Sequence, residues 1–261
     1  MTIEFLTQDD PLYILPFFET FFSQSPGEFR ISGISACRTM GRRPRQQMLR
    51  ELLALYRPAG MARLLARVAS SRTLALLPRP KDSGHYYSIA QLAKAYGIPY
   101  HKTGNPNDEE FVNFLAARKP DLLVSVACPY ILKERLLTLP RLGCINIHHA
   151  PLPRFKGMMP TFWQMFHGEK EVGVTIHYMT AALDDGNALL QESLAIAPGE
   201  SLDHLIRRSK QHGAHCMMRV LRQIAANTHR TVPLDRSQSS RFTFPTAEEI
   251  REFHRRGFRA V

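Results

Sequence analysis

The residues best suited to chemistry lie in the stretch 143–160, GCINIHHAPLPRFKGMMP. Its first residues are mostly apolar and predict a short buried strand from Cys144 to His148, and the twofold period of a strand turns Asn146 and His148 to the same side. An imidazole can take or give a proton near neutral pH, and an amide N–H can stabilise an oxygen that becomes negative. This pair is therefore suited to attack on a carbonyl group.

A second stretch supplies a carboxylate. Residues 173–179, GVTIHYM, alternate in the manner of a strand, and residues 181–186, AALDDG, form an acidic turn that ends in glycine. The first carboxylate of this turn, Asp184, could orient His148 and stabilise its imidazolium form, as a carboxylate does in other histidine-based sites. Asn146, His148 and Asp184 are therefore the candidate catalytic residues, and their chemistry needs no metal.

The elements that must position these residues alternate between strand and helix. A strand at 2–6, a helix that starts at the Asp9-Asp10-Pro11 cap and a strand at 29–36 give the opening of a doubly wound sheet. The apolar run 122–127 is typical of a central parallel strand, and open α/β sheets bind ligands at the carboxyl ends of such strands. We therefore expect an α/β fold with a Rossmann-like, doubly wound, mostly parallel sheet.

Shorter signals complete the expected architecture. Leu74 to Leu77 could form a further strand, and the polar residues 237–241 are expected to be mobile. Residues 202–226 predict a long helix, and a capping box at Thr246 starts a last short helix. The domains that we expect are a catalytic domain at 1–197, with a basic helical insertion at about 38–72, and a C-terminal helix and basic tail at 198–261.

The composition is that of an ordinary globular protein, with 261 residues of which 44% are hydrophobic. No apolar stretch is long enough to span a membrane and the N-terminus does not resemble a signal peptide, so we expect a cytoplasmic protein. Neither a G-x-G-x-x-G motif after the first strand nor a phosphate-binding P-loop motif occurs. The four cysteines lie far apart without a spacing that suggests zinc, so we expect buried free thiols and no metal.

The net charge of +11 is concentrated in two blocks. Residues 38–72 contain nine arginines and one acid, and residues 207–261 contain twelve lysines or arginines and four acids. Such blocks attract phosphates, nucleic acid or anionic surfaces, or they are solvated helix faces without a ligand. Within 45–71, apolar residues recur three and four apart and are interrupted at Pro58 and Gly60. This pattern favours a helical hairpin over a basic amphipathic element that rests on a membrane.

An ordered set of motifs between residues 120 and 197 resembles the N10-formyltetrahydrofolate-dependent formyltransferases. This group contains the glycinamide ribonucleotide, methionyl-tRNA and sugar-amine formyltransferases. The motifs are, in order, PDLLVSV at 120–126, Ile131-Leu132, Asn146-Ile147-His148, Leu152-Pro153, Phe155-Lys156-Gly157, Gly173-Val174-Thr175 and Leu183-Asp184 before Gly186. Each motif alone is weak, but their order and spacing together are specific. The chain departs from the family at Ala150-Pro151, where the usual pair is Ser-Leu.

The resemblance implies a reaction and a set of roles. The family's catalytic trio falls on the three candidate residues named above, with the histidine as base and the asparagine as the group that stabilises the oxyanion. The implied cofactor is the formyl donor N10-formyltetrahydrofolate. The residues expected to bind it are Tyr130, Ile131, Leu132, Thr180 and Leu183.

The acceptor is the part that the sequence defines least. A nucleotide-linked amino sugar or another small, anionic amine agrees with a catalytic core that carries a short tail and basic flanks. Methionyl-tRNA is an alternative, although the tail is too short for the full β-barrel domain that follows the catalytic domain of methionyl-tRNA formyltransferases. Hydrolysis of formyltetrahydrofolate and non-catalytic binding of folate or an anion are two further interpretations. The sequence does not indicate an oligomeric state.

Overall fold

Strands and helices alternate along the computed structural model, which describes residues 1–25, 27–38 and 45–261. The strands are β1 (Thr2–Gln8), β2 (Arg30–Cys37), β3 (Tyr100–Thr103), β4 (Leu122–Val126), β5 (Cys144–His148), β6 (Lys156–Gly157), β7 (Glu171–Tyr178), β8 (Ala188–Ala195) and β9 (Arg241–Phe242). The helices are α1 (Leu15–Gln24), α2 (Arg45–Leu74), α3 (Ile89–Ala95), α4 (Glu109–Arg118), α5 (Glu134–Leu137), α6 (Pro160–Phe166), α7 (Leu202–Ala225) and α8 (Ala247–Arg255).

Seven of these strands form one sheet in the order β3-β2-β1-β4-β5-β7-β8. The pairs from β3 through β5 are parallel, and β7 pairs antiparallel with both β5 and β8. The strand order reverses between β1 and β4, and in open α/β sheets ligands bind at the carboxyl ends of the strands at such a point. The expected Rossmann-like, mostly parallel sheet is confirmed.

Aromatic packing explains why α1 lies against the centre of the sheet. The ring of Phe5 on β1 meets Phe17, Phe18 and Phe21 of α1 edge to face, at centroid distances of 5.1 to 6.5 Å. All four side chains are at most 1% exposed. Burying a side chain of this size contributes about 1.5–3 kcal/mol, so this cluster fixes the helix firmly on the sheet.

The arginine-rich segment forms α2, which is broken at Arg57, where φ is 56° and ψ is 164°. Proline disfavours a helical conformation in the residue before it, so the interruption expected at Pro58 is confirmed. On the two sides of the break, Leu55 and Leu64 are buried in one cluster with residues of α6 and α8. Residues 39–44 of the expected basic insertion lie outside the described residues.

The strand expected at 74–77 is wrong. Residues 75–77 are turns that continue from α2, with the Ala75 N–H donating to the Ser71 carbonyl at 2.9 Å, and Leu76 is 84% exposed. The mobility of segment 237–241 stays a prediction. Its last residue starts β9, which pairs with β6 in the loop after β5. Backbone pairing therefore holds the tail beside the loop that follows β5.

The helices beyond residue 197 pack against the rest of the chain. α7 contacts α1 and β7, and its buried residues Ala214, Met217 and Leu221 belong to the same cluster as residues of β1 and β4. α8 contacts α2. The domain boundary near residue 197 stays a prediction. Within the described ranges, none of the helices has the length and apolar character needed to cross a membrane.

Candidate active site

Strand β5 places Asn146 and His148 near the carboxyl edge of the sheet. The strand lies between β4 and β7, with Asn146 opposite His177 and His148 opposite Thr175. Both side chains line one cavity of about 460 Å³. The predicted strand is therefore confirmed, and it brings the amide and the imidazole to the same cavity.

A backbone carbonyl fixes the ring of His148. Its Nε2 atom lies 2.9 Å from the carbonyl oxygen of Phe155, which can only accept a hydrogen bond. The neutral ring therefore carries its proton on Nε2 and its lone pair on Nδ1. Nδ1 faces Asp184, whose Oδ2 is 3.7 Å away. This distance is too long for a hydrogen bond but short enough for the carboxylate to stabilise an imidazolium.

The turn that carries Asp184 is held by the loop after β5. Asp184 has a left-handed φ of 49°, and its Oδ2 accepts a hydrogen bond from the Gly157 N–H at 3.1 Å. Gly157 has a φ of 95°, and a Cβ at this position would collide with the Phe242 carbonyl of β9. Only glycine fits here. The packing of the tail against this loop thus helps to place the carboxylate.

The tail also holds the residue that orients His148. The N–H of Phe155 donates to Ser240 Oγ at 2.9 Å, and the N–H of Lys156 donates to the Ser240 carbonyl at 2.9 Å. Phe155 has a φ of 59°, which is uncommon for a residue other than glycine. Phe155 and Ser240 could not be recognised as site residues from the sequence, because a main-chain hydrogen bond requires no particular side-chain motif.

His177 orients the amide of Asn146. Its Nδ1 donates to the Tyr178 carbonyl at 2.8 Å, so Nε2 carries the lone pair and accepts from Asn146 Nδ2 at 3.2 Å. Burial lowers the pKa of His177, which keeps the ring neutral and Nε2 an acceptor. One N–H of the Asn146 amide therefore donates to His177, and the other can donate to a ligand. The sequence gives no sign of this role, because the position of His177 opposite Asn146 appears only with the strand register.

The second carboxylate of the acidic turn anchors the loop. One carboxylate oxygen of Asp185 lies 2.5 Å from Lys156 Nζ, and the other lies 2.6 Å from a guanidinium nitrogen of Arg236. The hydrogen bond from Lys156 holds the pKa of Asp185 below its usual value. Lys156 is only 8% exposed, so its ammonium group is directed to this carboxylate and not to solvent. Of the two adjacent acids, Asp184 faces His148, and Asp185 forms the ion pairs that hold the loop in place.

His149 and Lys210 form another wall of the main cavity. His149 Nδ1 lies 2.9 Å from Ser209 Oγ on α7, and burial lowers the pKa of its ring well below the ordinary value. Burial also lowers the pKa of Lys210, to about 8, while Asp10 opposes that shift. Within the part of the chain that the structure describes, Lys210 has no hydrogen bond or ion pair. The cavity thus contains an ammonium group whose hydrogen bonds are free for a ligand.

A second cavity shares a wall with the first. Asn146 and Asp184 line both cavities, whereas His148 lines only the larger one. All five residues expected to bind the cofactor line the second cavity, namely Tyr130, Ile131, Leu132, Thr180 and Leu183. Two molecules that occupy the two cavities would therefore meet at Asn146 and Asp184.

A third cleft, of about 340 Å³, joins the two basic blocks. It lies between the break in α2 and the segment after α8, and its basic residues are Arg57, Arg63, His254 and Arg259. Tyr56 lines both this cleft and the main cavity. Blocks that are far apart in the sequence thus form one basic surface beside the site.

Comparison with known proteins identifies the family. A sequence model described as Formyl transferase matches residues 75–221, more than half of the chain. The chain belongs to the formyl transferase family. The match contains Asn146, His148 and Asp184, and it confirms the family resemblance drawn from the motifs.

Relatives and solved structures agree with this family. The methionyl-tRNA formyltransferase of Chlorobium chlorochromatii is 37% identical over 167 residues, which are 62% of this chain and 53% of that protein. The chain spans about half the length of the curated relatives it matches. Glycinamide ribonucleotide transformylase 1 from Symbiobacterium toebii has a TM-score of 0.60 at 18% identity, over 90% of this chain and 94% of that one. WlaRD, a sugar 3N-formyl transferase solved in the presence of dTDP and 5-N-formyl-THF, has a TM-score of 0.55 at 15% identity, over 93% and 69% of the two chains.

Proposed function

We propose that the protein transfers a formyl group from N10-formyltetrahydrofolate to a primary amine. The observation that carries the proposal is the wall between the two cavities, where Asn146 and Asp184 face both sides. A formyl carbon held at this wall is within reach of an amine in the larger cavity. Membership of the formyl transferase family supports the same reaction.

The smaller cavity, of about 60 Å³, is the proposed place for one edge of the donor's ring system. It lies at the carboxyl end of β4 and is lined by apolar side chains and by the loop 180–184. A flat ring system edged with donors and acceptors is bound well by apolar walls with nearby backbone groups. The donor's pterin ring would lie against Tyr130, Ile131 and Leu132, with Thr180 and Leu183 on the opposite side.

The protonation states of the site define the chemical steps. The amine nitrogen attacks the formyl carbon, a carbon–nitrogen bond forms and the carbonyl oxygen becomes an oxyanion. The free N–H of Asn146 stabilises this oxyanion, while His148 takes the amine proton on Nδ1. Asp184 stabilises the imidazolium. The bond to N10 of the folate then breaks, and the departing nitrogen receives the proton from His148.

The charges around the larger cavity favour an anionic acceptor. Lys210 offers a cation without a bonded partner in the described residues, and the arginine cleft opens next to Tyr56. A buried cation is costly unless it is paired, so a carboxylate or phosphate on the acceptor would be bound there. We therefore propose a small amine that carries an anionic group, such as a nucleotide-linked amino sugar.

Methionyl-tRNA is the second candidate acceptor. Several curated relatives bear the name methionyl-tRNA formyltransferase, and the matched region is about half of each of those proteins. A tRNA would contact the basic cleft through its phosphates, and each phosphate contact makes binding more sensitive to salt. Hydrolysis of the donor and binding without turnover are the remaining alternatives.

One comparison of products separates these functions. The purified protein is incubated with N10-formyltetrahydrofolate and either a panel of small anionic amines or methionyl-tRNA, and formylated products and formate are measured by mass spectrometry. A formylated small amine supports the proposal. Formylation of methionyl-tRNA alone, with a steep loss of rate as salt rises, identifies the second candidate. Formate without added amine identifies hydrolysis, and donor binding without any product overturns the enzymatic proposal.

A further inference from the structure

Three potential metal ligands meet between β8 and α7, outside the two cavities described above. Glu192 is on β8, and His212 and Cys216 lie four residues apart on one face of α7. His212 Nε2 is 3.3 Å from Glu192 Oε2. Cys216 Sγ is 3.4 Å from the same oxygen and 3.6 Å from His212 Nε2. The three ligand atoms thus form a compact triangle.

The sides of this triangle match the spacing of ligands around zinc. Zinc bonds are about 2.3 Å to sulfur, about 2.0–2.1 Å to histidine nitrogen and about 2.0–2.2 Å to carboxylate oxygen. At tetrahedral angles, these bond lengths place the ligand atoms about 3.3–3.7 Å apart. All three distances between the ligand atoms fall in this range. An ion can therefore be bound without a change in the backbone.

We propose that Glu192, His212 and Cys216 form a three-ligand site for Zn²⁺, with water in the fourth position. Thiolate, imidazole and carboxylate are the groups that bind zinc in proteins. The side chains of His212 and Glu192 are 25% and 31% exposed, which gives the ion a path from solvent, whereas Cys216 is buried. Since β8 is at the edge of the sheet, the ion ties α7 to that edge.

Arg219 supports the site from its outer side. Its guanidinium donates to Oε1 of Glu192, which leaves Oε2 for the metal, and a contact of this kind orients a carboxylate ligand. The guanidinium also lies 3.7 Å from Cys216 Sγ and balances part of the anionic charge. A cysteine binds zinc as the thiolate, so metal binding releases the thiol proton and zinc affinity increases with pH.

The sequence does not predict this metal site, because its ligands are not closely paired along the chain. A histidine and a cysteine four residues apart on one helix are too common to indicate zinc. The third ligand comes from a strand, so only the packing of α7 on β8 reveals the set. This site is separate from the formyl-transfer chemistry.

The test is zinc binding by the full chain after dialysis against a chelator. Zn²⁺ is titrated in competition with a chromophoric chelator, and Co²⁺ is used in parallel to detect thiolate-to-metal charge-transfer absorption. The ligand variants are Cys216→Ser and His212→Gln. Their matched controls are Cys144→Ser, at a buried thiol elsewhere, and His215→Gln, at an exposed position of the same helix.

The proposal requires one zinc per chain and a loss of affinity of at least about tenfold in each ligand variant but in neither control. The cobalt charge-transfer band must disappear with Cys216→Ser. Zinc must also raise the melting temperature of the wild-type chain and leave that of His212→Gln unchanged, which separates metal binding from a folding defect. Weak binding that is equal in ligand and control variants, or no binding at pH 8, overturns the proposal.

Discussion

His148 donates a hydrogen bond from Nε2 to the carbonyl of Phe155 and directs Nδ1 toward Asp184. The basic nitrogen of the proposed mechanism is therefore Nδ1. A backbone oxygen that belongs to the loop after β5 sets this tautomer. Because Ser240 holds the N–H of Phe155, the tautomer depends on the position of the tail.

This geometry allows the base to be removed without loss of the orienting hydrogen bond. In His148→Gln, the side-chain amide can still donate to Phe155, but no basic atom replaces Nδ1. We expect kcat to fall by about 10²–10⁴, the range of a general base, with unchanged donor affinity. Steady-state kinetics and calorimetric binding of the donor check this, with His215→Gln, at an exposed position outside both cavities, as the control. An active His148→Gln enzyme would exclude His148 as the base.

The contact between His177 and Asn146 gives a second prediction. In His177→Phe the acceptor for the amide is lost, so Asn146 can rotate away from the developing oxyanion. Because small misplacements at a reacting centre are costly, we expect kcat to fall by about 10²-fold with little change in acceptor KM. His177→Gln restores an oxygen acceptor and should recover part of the rate. Equal loss in both variants would indicate a purely structural role for His177.

The sequence was sufficient to predict the sheet and to name residues that the fold brings to the two cavities, for identifiable reasons. The period and apolar character of β4 and β5 follow directly from residue types, as does the cap of α8. The smaller cavity contains all five residues that the family motifs lead us to expect at the donor site. Their functional roles stay predictions.

The parts that the sequence could not predict depend on contacts between distant segments. β9 has two residues and pairs with β6 across more than eighty positions, so no local pattern could distinguish it from a polar loop. The acceptor of the His148 hydrogen bond is a backbone oxygen, and the partner of Asn146 is set by strand register. For the same reason, the basic cleft appears only when α2 and the segment after α8 are brought together.

Helix α7 packs against strand β5, and this contact provides a third prediction. A Cβ added to Gly213 on α7 would lie 2.7 Å from Ile147 and 2.9 Å from His149. Alanine improves helix propensity by about 1 kcal/mol, but overpacking costs about 1–3 kcal/mol. We expect Gly213→Ala to destabilise the protein by up to about 2 kcal/mol and to lower kcat, because Ile147 lies between Asn146 and His148. Urea unfolding and kinetics test this, and Gly104→Ala, which has open space around it, should leave both quantities unchanged.

Two of the buried histidines, His149 and His177, predict how stability depends on pH. Burial holds the pKa of His149 and of His177 below the ordinary value of 6.5. Below about pH 6.5, the unfolded chain therefore binds protons that the folded chain does not, so the free energy of unfolding decreases as pH falls. Each such histidine contributes a slope of about 1.4 kcal/mol per pH unit between its folded and unfolded pKa values.

Urea unfolding at pH 7.5, 6.5 and 5.5 should show this loss of stability. His149→Gln should reduce the slope by about that amount, whereas His215→Gln, at an exposed position, should not. A wild-type stability that is constant over this range, or an unchanged slope in His149→Gln, would show that His149 accepts a proton in the folded protein as readily as in the unfolded chain.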